Sequence, residues 1–188
     1  DALNGYEIVS EGTALGVVIN YPSPRSLSSD TKIILEEESV STNKKSKEEA
    51  SIVIGVIGAG SFTKKIIMPY LKNSGVTLKT IVSSQGISAQ ELGNKFGFKN
   101  ASTNVEDVFC DEQINAVVVA TRHDSHAEYI IRGIEKKKSI FVEKPLCINP
   151  LQLNSIIESY NLNIDSQPYI MVGFNRRFAP HVLKIKEL

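Results

Sequence analysis

The chain has 188 residues, 41% hydrophobic and 22% charged, which suits one compact domain with an appendage. Lys and Arg together number 21, as do Asp and Glu, and a net charge of zero argues against a nucleic-acid partner or an anionic membrane surface. No apolar run approaches the ~20 residues that span a bilayer, no signal-peptide pattern opens the chain, and Cys110 and Cys147 form no C-x-x-C, so a cytoplasmic enzyme or binding domain is expected.

Residues 1–50 differ in character from the rest of the chain. The chain opens on Asp1 without an initiator methionine, and 1–9 has the pattern of a helix already under way, so 1–22 is expected to be the C-terminal tail of an upstream domain. Within it, 14–19 (ALGVVI) is a candidate strand that Tyr21-Pro22-Ser23-Pro24 ends, because prolines deny a ladder its donors. Residues 23–50 are rich in Ser, Lys and Glu, interrupted only by Ile33-Ile34-Leu35. That composition buries little and predicts a mobile linker.

A dinucleotide-binding domain is expected over 51–174. Its first strand, 52–57, is β-branched and apolar and runs straight into Gly58-Ala59-Gly60. Gly58 permits a tight turn, Gly60 lets backbone approach a bulky anion, and a helix over 61–73 would aim its free N–H groups, from Ser61 and Phe62 onward, at that anion. The third glycine of a G-x-G-x-x-G fingerprint would fall at position 63, where Thr63 stands and enlarges the helix–strand contact without blocking the phosphate side. Pro69 predicts a kink or an early end to the helix. A second strand (76–82), a helix (88–96) stopped by Gly97, and a short strand (98–101) come next. Thr103-x-x-Glu106 has the spacing of a capping box for a brief helix to Cys110. A buried strand (114–120), a helix (124–137), a strand (139–142), a helix capped by Asn149-Pro150 and a last strand (169–174) complete the alternation. Strands alternating with helices predict an α/β fold with a doubly wound, mostly parallel Rossmann-type sheet.

Ligands of such sheets bind beyond the carboxyl ends of the strands. Four of those ends carry chemistry here: the glycine turn, Ser83-Ser84-Gln85, Thr121-Arg122-His123-Asp124-Ser125-His126 and Glu143-Lys144-Pro145. Each has a plainer reading, with Asp124 only a helix cap, His126 only a first-turn residue and Glu143–Lys144 only a surface pair. Their concentration on one sheet edge favours a site.

The G-x-G at 58–60, Ala120-Thr121 with His126-Ala127 behind it, and above all Val142-Glu143-Lys144-Pro145-Leu146 resemble the glucose–fructose oxidoreductase / inositol dehydrogenase / MocA family over about 52–178. Its members are nicotinamide-dependent dehydrogenases and reductases of sugars, inositols and nucleotide sugars. Residues 14–22, the linker, Ala120-Thr121-Arg122-His123-Asp124 and Gly173-Phe174-Asn175-Arg176-Arg177-Phe178 are similar to a two-domain subgroup in which a zinc-type alcohol dehydrogenase module comes first.

The resemblance implies that Gly58, Ala59, Gly60, Ser61 and Phe62 form the pyrophosphate loop. Thr121, Arg122, His123 and His126 would run beneath the cofactor towards the nicotinamide. Glu143, Lys144 and Pro145 would form the E-K-P step, with Lys144 reaching both cofactor ribose and substrate hydroxyl as the catalytic residue. Ser83 and Ser84 stand where an acidic residue commonly selects NAD, so the implied cofactor is NAD or NADP. No metal is implied. The partner is a sugar-like small molecule, residues 175–188 begin a truncated substrate domain, and homo-oligomerisation would run through that domain. A nucleotide-binding regulatory module without turnover is the alternative; it needs the glycine loop but has no use for Lys144.

Overall fold

The computed structural model describes residues 7–12, 17, 31–35 and 52–187. Two compact units divide the chain, Asp1–Asp30 and Thr31–Leu188. In the first, residues 7–10 are helical, the Glu11 amide donates to the Glu7 carbonyl at 2.9 Å, and Gly12 turns left-handed with φ +69°. The strand expected at 14–19 lies outside the described residues apart from Val17, as does the linker over 36–50.

The second unit is built on a seven-stranded sheet. Its strands are β1 (Lys32–Ile34), β2 (Val53–Ile57), β3 (Thr77–Val82), β4 (Asn100–Ser102), β5 (Ala116–Val119), β6 (Ser139–Val142) and β7 (Ile170–Val172). They lie in the order β1-β4-β3-β2-β5-β6-β7, all parallel except β1, which runs antiparallel to β4. Strand order therefore reverses at β2, the point at which doubly wound sheets open a crevice.

Helices cover both faces. They are α1 (Met68–Asn73, entered through a π-helical segment Thr63–Ile67), α2 (Gly86–Phe96), α3 (Glu106–Phe109), α4 (His126–Glu135), α5 (Pro150–Leu162) and α6 (Pro180–Lys186). The period of two along a strand sorts the core. On β5, Val117 and Val119 join Phe109, Ile130, Ile134 and Ile156 on one face, while Val118 joins Met68, Leu92, Phe96 and Phe98 on the other. Each fully buried Ile of α4 contributes about 1.5–3 kcal/mol of apolar burial. Gly133 brings α4 down onto β6, since a Cβ there would stand 2.5 Å from Ile140 Cδ1.

Several local expectations need correction. Residues 32–34, placed in a mobile linker, form β1, and its flanks are also bonded: the Leu35 amide donates to the Lys99 carbonyl at 2.8 Å and the Thr103 amide to the Thr31 carbonyl at 2.9 Å. A three-residue apolar triplet supplied enough strand character to pair with the open edge of β4, which no composition average over 28 residues can register. The Thr103–Glu106 capping box does not form. Asn104 Oδ1 accepts from the Glu106 amide at 3.1 Å instead, while the Glu106 carboxylate pairs with Arg132. Pro69 does not end the helix early: residues 61–73 are helical throughout, and the turn ahead of the proline is the π segment Thr63–Ile67, which closes with the Met68 amide on the Thr63 carbonyl. Asp124 is not the cap of α4 but the middle of a 3₁₀ turn, His123–Ser125, ahead of it. Asn149 caps α5 as expected, its Oδ1 accepting from the Gln152 amide at 2.9 Å, and Gln152 Oε1 reciprocates with the Ile148 amide at 3.0 Å.

Candidate dinucleotide site

The turn after β2 depends on two glycines for different reasons. Gly58 has φ +108°, and a Cβ on it would stand 2.3 Å from the Ala120 carbonyl oxygen. Glycine there lets the β2 and β5 turns touch, with the Gly58 amide donating to the Val82 carbonyl at 2.8 Å. Around Gly60 a Cβ would meet nothing within 4 Å, so its open side faces free space. The first helical bond is from the Lys64 amide to the Gly60 carbonyl at 3.0 Å, which leaves the amides of Ser61, Phe62 and Thr63 as the donor end of the helix. Thr63, at the third-glycine position, is only 1% exposed, and its Oγ1 has no hydrogen-bond partner.

A cleft of about 700 Å³ lies over this turn. It brings together Gly58, Ala59, Gly60, Ser83, Ser84, Thr121 and Arg122, seven of the residues singled out from the sequence. At the β3 end only hydroxyls are offered: Ser83 Oγ is shared with Ser88 Oγ at 3.2 Å, and Ser84 is exposed. No carboxylate comes from that strand end, and the charged side chains lining the cleft, Arg122 and Asp124, both come from the β5 end. The Thr121 loop is tied to itself, with Thr121 Oγ1 and Ser125 Oγ 2.7 Å apart and Ser125 Oγ donating to the Arg122 carbonyl at 2.9 Å.

Sequence reasoning did not single out Thr103, Val105 and Tyr129 for the cleft, and all three line it, together with Asp124 and Ser125 from the strand end already named. Thr103 and Val105 come after the end of β4, so the strand-end rule would have found them had that short strand been given a ligand-facing end. Burial holds the Tyr129 phenol above its ordinary value, and the charges of Glu128 and Asp124 push the same way. Tyr129 therefore faces the cleft as a neutral hydroxyl at physiological pH.

Other expected site residues stand elsewhere. His126 is completely buried, with Nδ1 2.7 Å from the Pro145 carbonyl and Nε2 3.2 Å from the Thr121 carbonyl. Both ring nitrogens are engaged by backbone, so the expectation that His126 touches the cofactor is corrected. His123 is exposed and lies edge-on to the His126 ring at 5.6 Å. Ser61 is exposed at the helix start. Phe62 and Glu143 line a separate, mostly apolar hollow of about 500 Å³ on the α1 face of the sheet. The Glu143 carboxylate rests on Gly173, where a Cβ would stand 2.8 Å from Oε1. Lys144 is exposed, and its amide donates to Glu143 Oε2 at 3.3 Å. The Lys144–Pro145 peptide bond is cis.

Residues 52–163 match the model of the oxidoreductase family with an NAD-binding Rossmann fold, GFO_IDH_MocA. The chain belongs to this family. It is 32% identical over 141 residues to oxidoreductase P35 of Formosa agariphila, covering 74% of this chain and 43% of that protein. With inositol 2-dehydrogenase of Rhizobium meliloti it shares 27% over 137 residues, covering 73% and 40%. The chain thus spans less than half the length of these relatives. Among solved structures it superposes on a levoglucosan dehydrogenase in complex with NADH and levoglucosan, with a TM-score of 0.63, 27% identity and coverage of 73% and 40%. A 3-ketoreductase from Actinomadura kijaniata in complex with NADP, at 21% identity, TM-score 0.64 and coverage of 73% and 43%, shares the fold. Among the described residues no helix is long and apolar enough to cross a membrane.

Proposed function

We propose that this chain is the dinucleotide-binding part of an oxidoreductase that moves a hydride to or from a carbinol or carbonyl carbon of a sugar, inositol or nucleotide sugar, using NAD or NADP. The observation that carries this reading is the cleft at the reversal of strand order, floored by Gly58 and Gly60 and open above Gly60. A dinucleotide bound there supplies the carbon–hydrogen chemistry. The chain's own groups bind and orient. The free amides of 61–63 donate to the diphosphate, the hydroxyls of Ser83 and Ser84 meet the adenosine ribose, and Thr121 and Arg122 line the path towards the nicotinamide. Lys144, exposed at the end of β6, is assigned to the substrate hydroxyl, where its ammonium polarises the oxygen and exchanges its proton. The sugar-like substrate class rests on relatives such as the inositol and levoglucosan dehydrogenases.

Calorimetric titration of the protein with NADH and NADPH tests the cleft, and absence of binding of either refutes the reading. Lys144→Ala in the full-length protein, assayed with inositols and sugars, should lower kcat by about 10²–10⁴, the range for a positioned proton-transfer group, while dinucleotide affinity changes little. An unchanged kcat would instead leave Lys144 as a surface charge contributing at most about 1 kcal/mol to stability.

A further inference from the structure

We infer that His126 is a positioning residue for the reaction: it holds the Thr121 loop and the Glu143-Lys144-Pro145 turn in one fixed relation without touching cofactor or substrate. The inference rests on the functional reading just given and assigns the residue within that site a different part from the one its sequence context suggests.

The two segments leave the adjacent parallel strands β5 and β6, whose ladder ends with the Glu143 amide on the Val119 carbonyl at 2.9 Å. Past that bond each segment goes its own way. The Thr121 loop closes on itself through Thr121, Ser125 and the Arg122 carbonyl. The Lys144 turn bonds back only to its neighbour, through the Lys144 amide and Glu143 Oε2. Among the described residues, the hydrogen bond that joins the two segments beyond the ladder is that of His126 Nδ1 with the Pro145 carbonyl. Its ring spans from the Pro145 carbonyl at Nδ1 (2.7 Å) to the Thr121 carbonyl at Nε2 (3.2 Å), and it also backs the exposed His123 ring. The imidazole is thus a strut between the loop that lines the cleft and the turn that carries Lys144.

Its anchorage makes it stiff. His126 begins α4, is wholly buried, and is followed immediately by Ala127 and then by Ile130 and Ile134, all in the core. The strut is therefore fixed to the element that packs most deeply on β5 and β6. Nε2 and the Thr121 carbonyl lie within one segment, whereas Nδ1 and the Pro145 carbonyl join the two. The shorter contact identifies Nδ1–H to Pro145 as the bond that matters. Removing it frees the backbone next to Lys144, and an error of about 1 Å in a reacting group is enough to lose about 10²-fold in rate.

The test uses His126→Asn, His126→Phe and His126→Ala in the full-length protein. Asparagine places an amide N–H near the Nδ1 position, whereas phenylalanine keeps the ring without either bond. Three measurements are made on each: the melting temperature, the Kd for NADH by fluorescence titration, and amide exchange of 121–125 and 144–147 against the core strand 116–119, without ligand. His126→Phe and His126→Ala should bind NADH within a factor of about three of wild type. In both variants exchange should accelerate in the two segments but not in 116–119, and the emission of bound NADH should shift towards that of free NADH as its nicotinamide loses a fixed wall. His126→Asn should restore slow exchange at 144–147 and the wild-type emission. Should His126→Phe fold too poorly to measure, the comparison of wild type with His126→Asn and a milder His126→Gln, which reaches the Thr121 carbonyl but not Pro145, decides the same point. Exchange unchanged at 144–147 in every variant, or a general loss of melting temperature with no emission change and no rescue by asparagine, overturns the positioning role. A Kd raised more than about 10-fold in His126→Asn makes the residue a cofactor ligand instead. The ligand-free exchange result stands even if wild type binds no NADH, an outcome that refutes the function proposed above.

Discussion

The two glycines of the β2 turn should fail in opposite ways when given a side chain. At Gly58, alanine must adopt φ +108°, which costs about 1–3 kcal/mol in strain. Its Cβ would also lie 2.3 Å from the Ala120 carbonyl oxygen, and that carbonyl is backbone, fixed by the neighbouring Ala120 amide on the Ile57 carbonyl at 2.9 Å. Overpacking of this kind adds about 1–3 kcal/mol, so Gly58→Ala should destabilise by about 2–6 kcal/mol in all. At about 2–4 °C per kcal/mol for a domain of this size, the melting temperature should fall by roughly 4–24 °C. A Cβ at position 60 meets no atom within 4 Å, and the stability of Gly60→Val should stay within about 0.5 kcal/mol of wild type. The added side chain would occupy the open space assigned to the diphosphate. Losing two hydrogen bonds to a charged group, at about 1.5–3 kcal/mol each, weakens binding by about 10²-fold or more. Calorimetric melting together with an NADH titration reads both effects. A Gly60→Val protein with wild-type Kd, or a Gly58→Ala protein with wild-type melting temperature, would refute the assignment of the loop.

Other substitutions probe the cleft and its support. Ser84→Asp puts a carboxylate at the β3 end of the cleft, where that strand now offers only hydroxyls, so the ratio of Kd for NADPH to Kd for NADH should rise by about tenfold or more, read by paired titrations. Lys138, 4% exposed, donates to the Asp111 and Ile114 carbonyls at 2.7 and 2.6 Å, and Lys138→Met should cost about 1–3 kcal/mol in urea unfolding by leaving them unpaired. Burial, opposed by the charge of Asp111, lowers the pKa of that ammonium below the ordinary lysine value, so the unfolded chain holds the proton more tightly. Wild-type stability, measured relative to Lys138→Met, should accordingly rise as pH climbs through the folded pKa towards the unfolded one, about 10.4, and stay flat below the folded pKa. Asn149→Ala removes the α5 cap and should lower stability by about 1 kcal/mol in the same assay.

Much of the domain could be read along the chain because its signals are local and strong. Val117-Val118-Val119, set between Ala116 and Ala120, reads as a buried strand, and the alternation of its side chains between two cores is a consequence of the pleat alone. The glycine turn was legible because the φ of +108° at Gly58, with the Ala120 carbonyl against it, is a demand only glycine meets without strain. What escaped depends on contacts distant in sequence. Ile33 gains its strand character from β4, nearly seventy residues on, and a compositional reading cannot count that partner's free edge. Phe62 and Glu143 were placed in the site by their neighbours in sequence, yet they line the hollow on the α1 face. His126 has the position of a ligand and the surroundings of a core residue; only the carbonyls of Thr121 and Pro145, brought together by the β5–β6 register, distinguish the two.

The shortness of the outermost strands bears on how this protein behaves in a crowded solution. Both borders of the sheet, β1 and β7, have three residues, so each offers a template of about 10 Å. An incoming foreign strand of the usual five or six residues could pair along only half its length. On the β1 side the border also carries Lys32, whose charge would have to be stripped of water for another chain to dock alongside. Removing residues 1–35 would take away Leu35, which packs against Gly93, and leave β4 as the new border. The expected consequence is a domain that still folds around β2, β3 and β5 but sticks to itself at high concentration, detectable by light scattering.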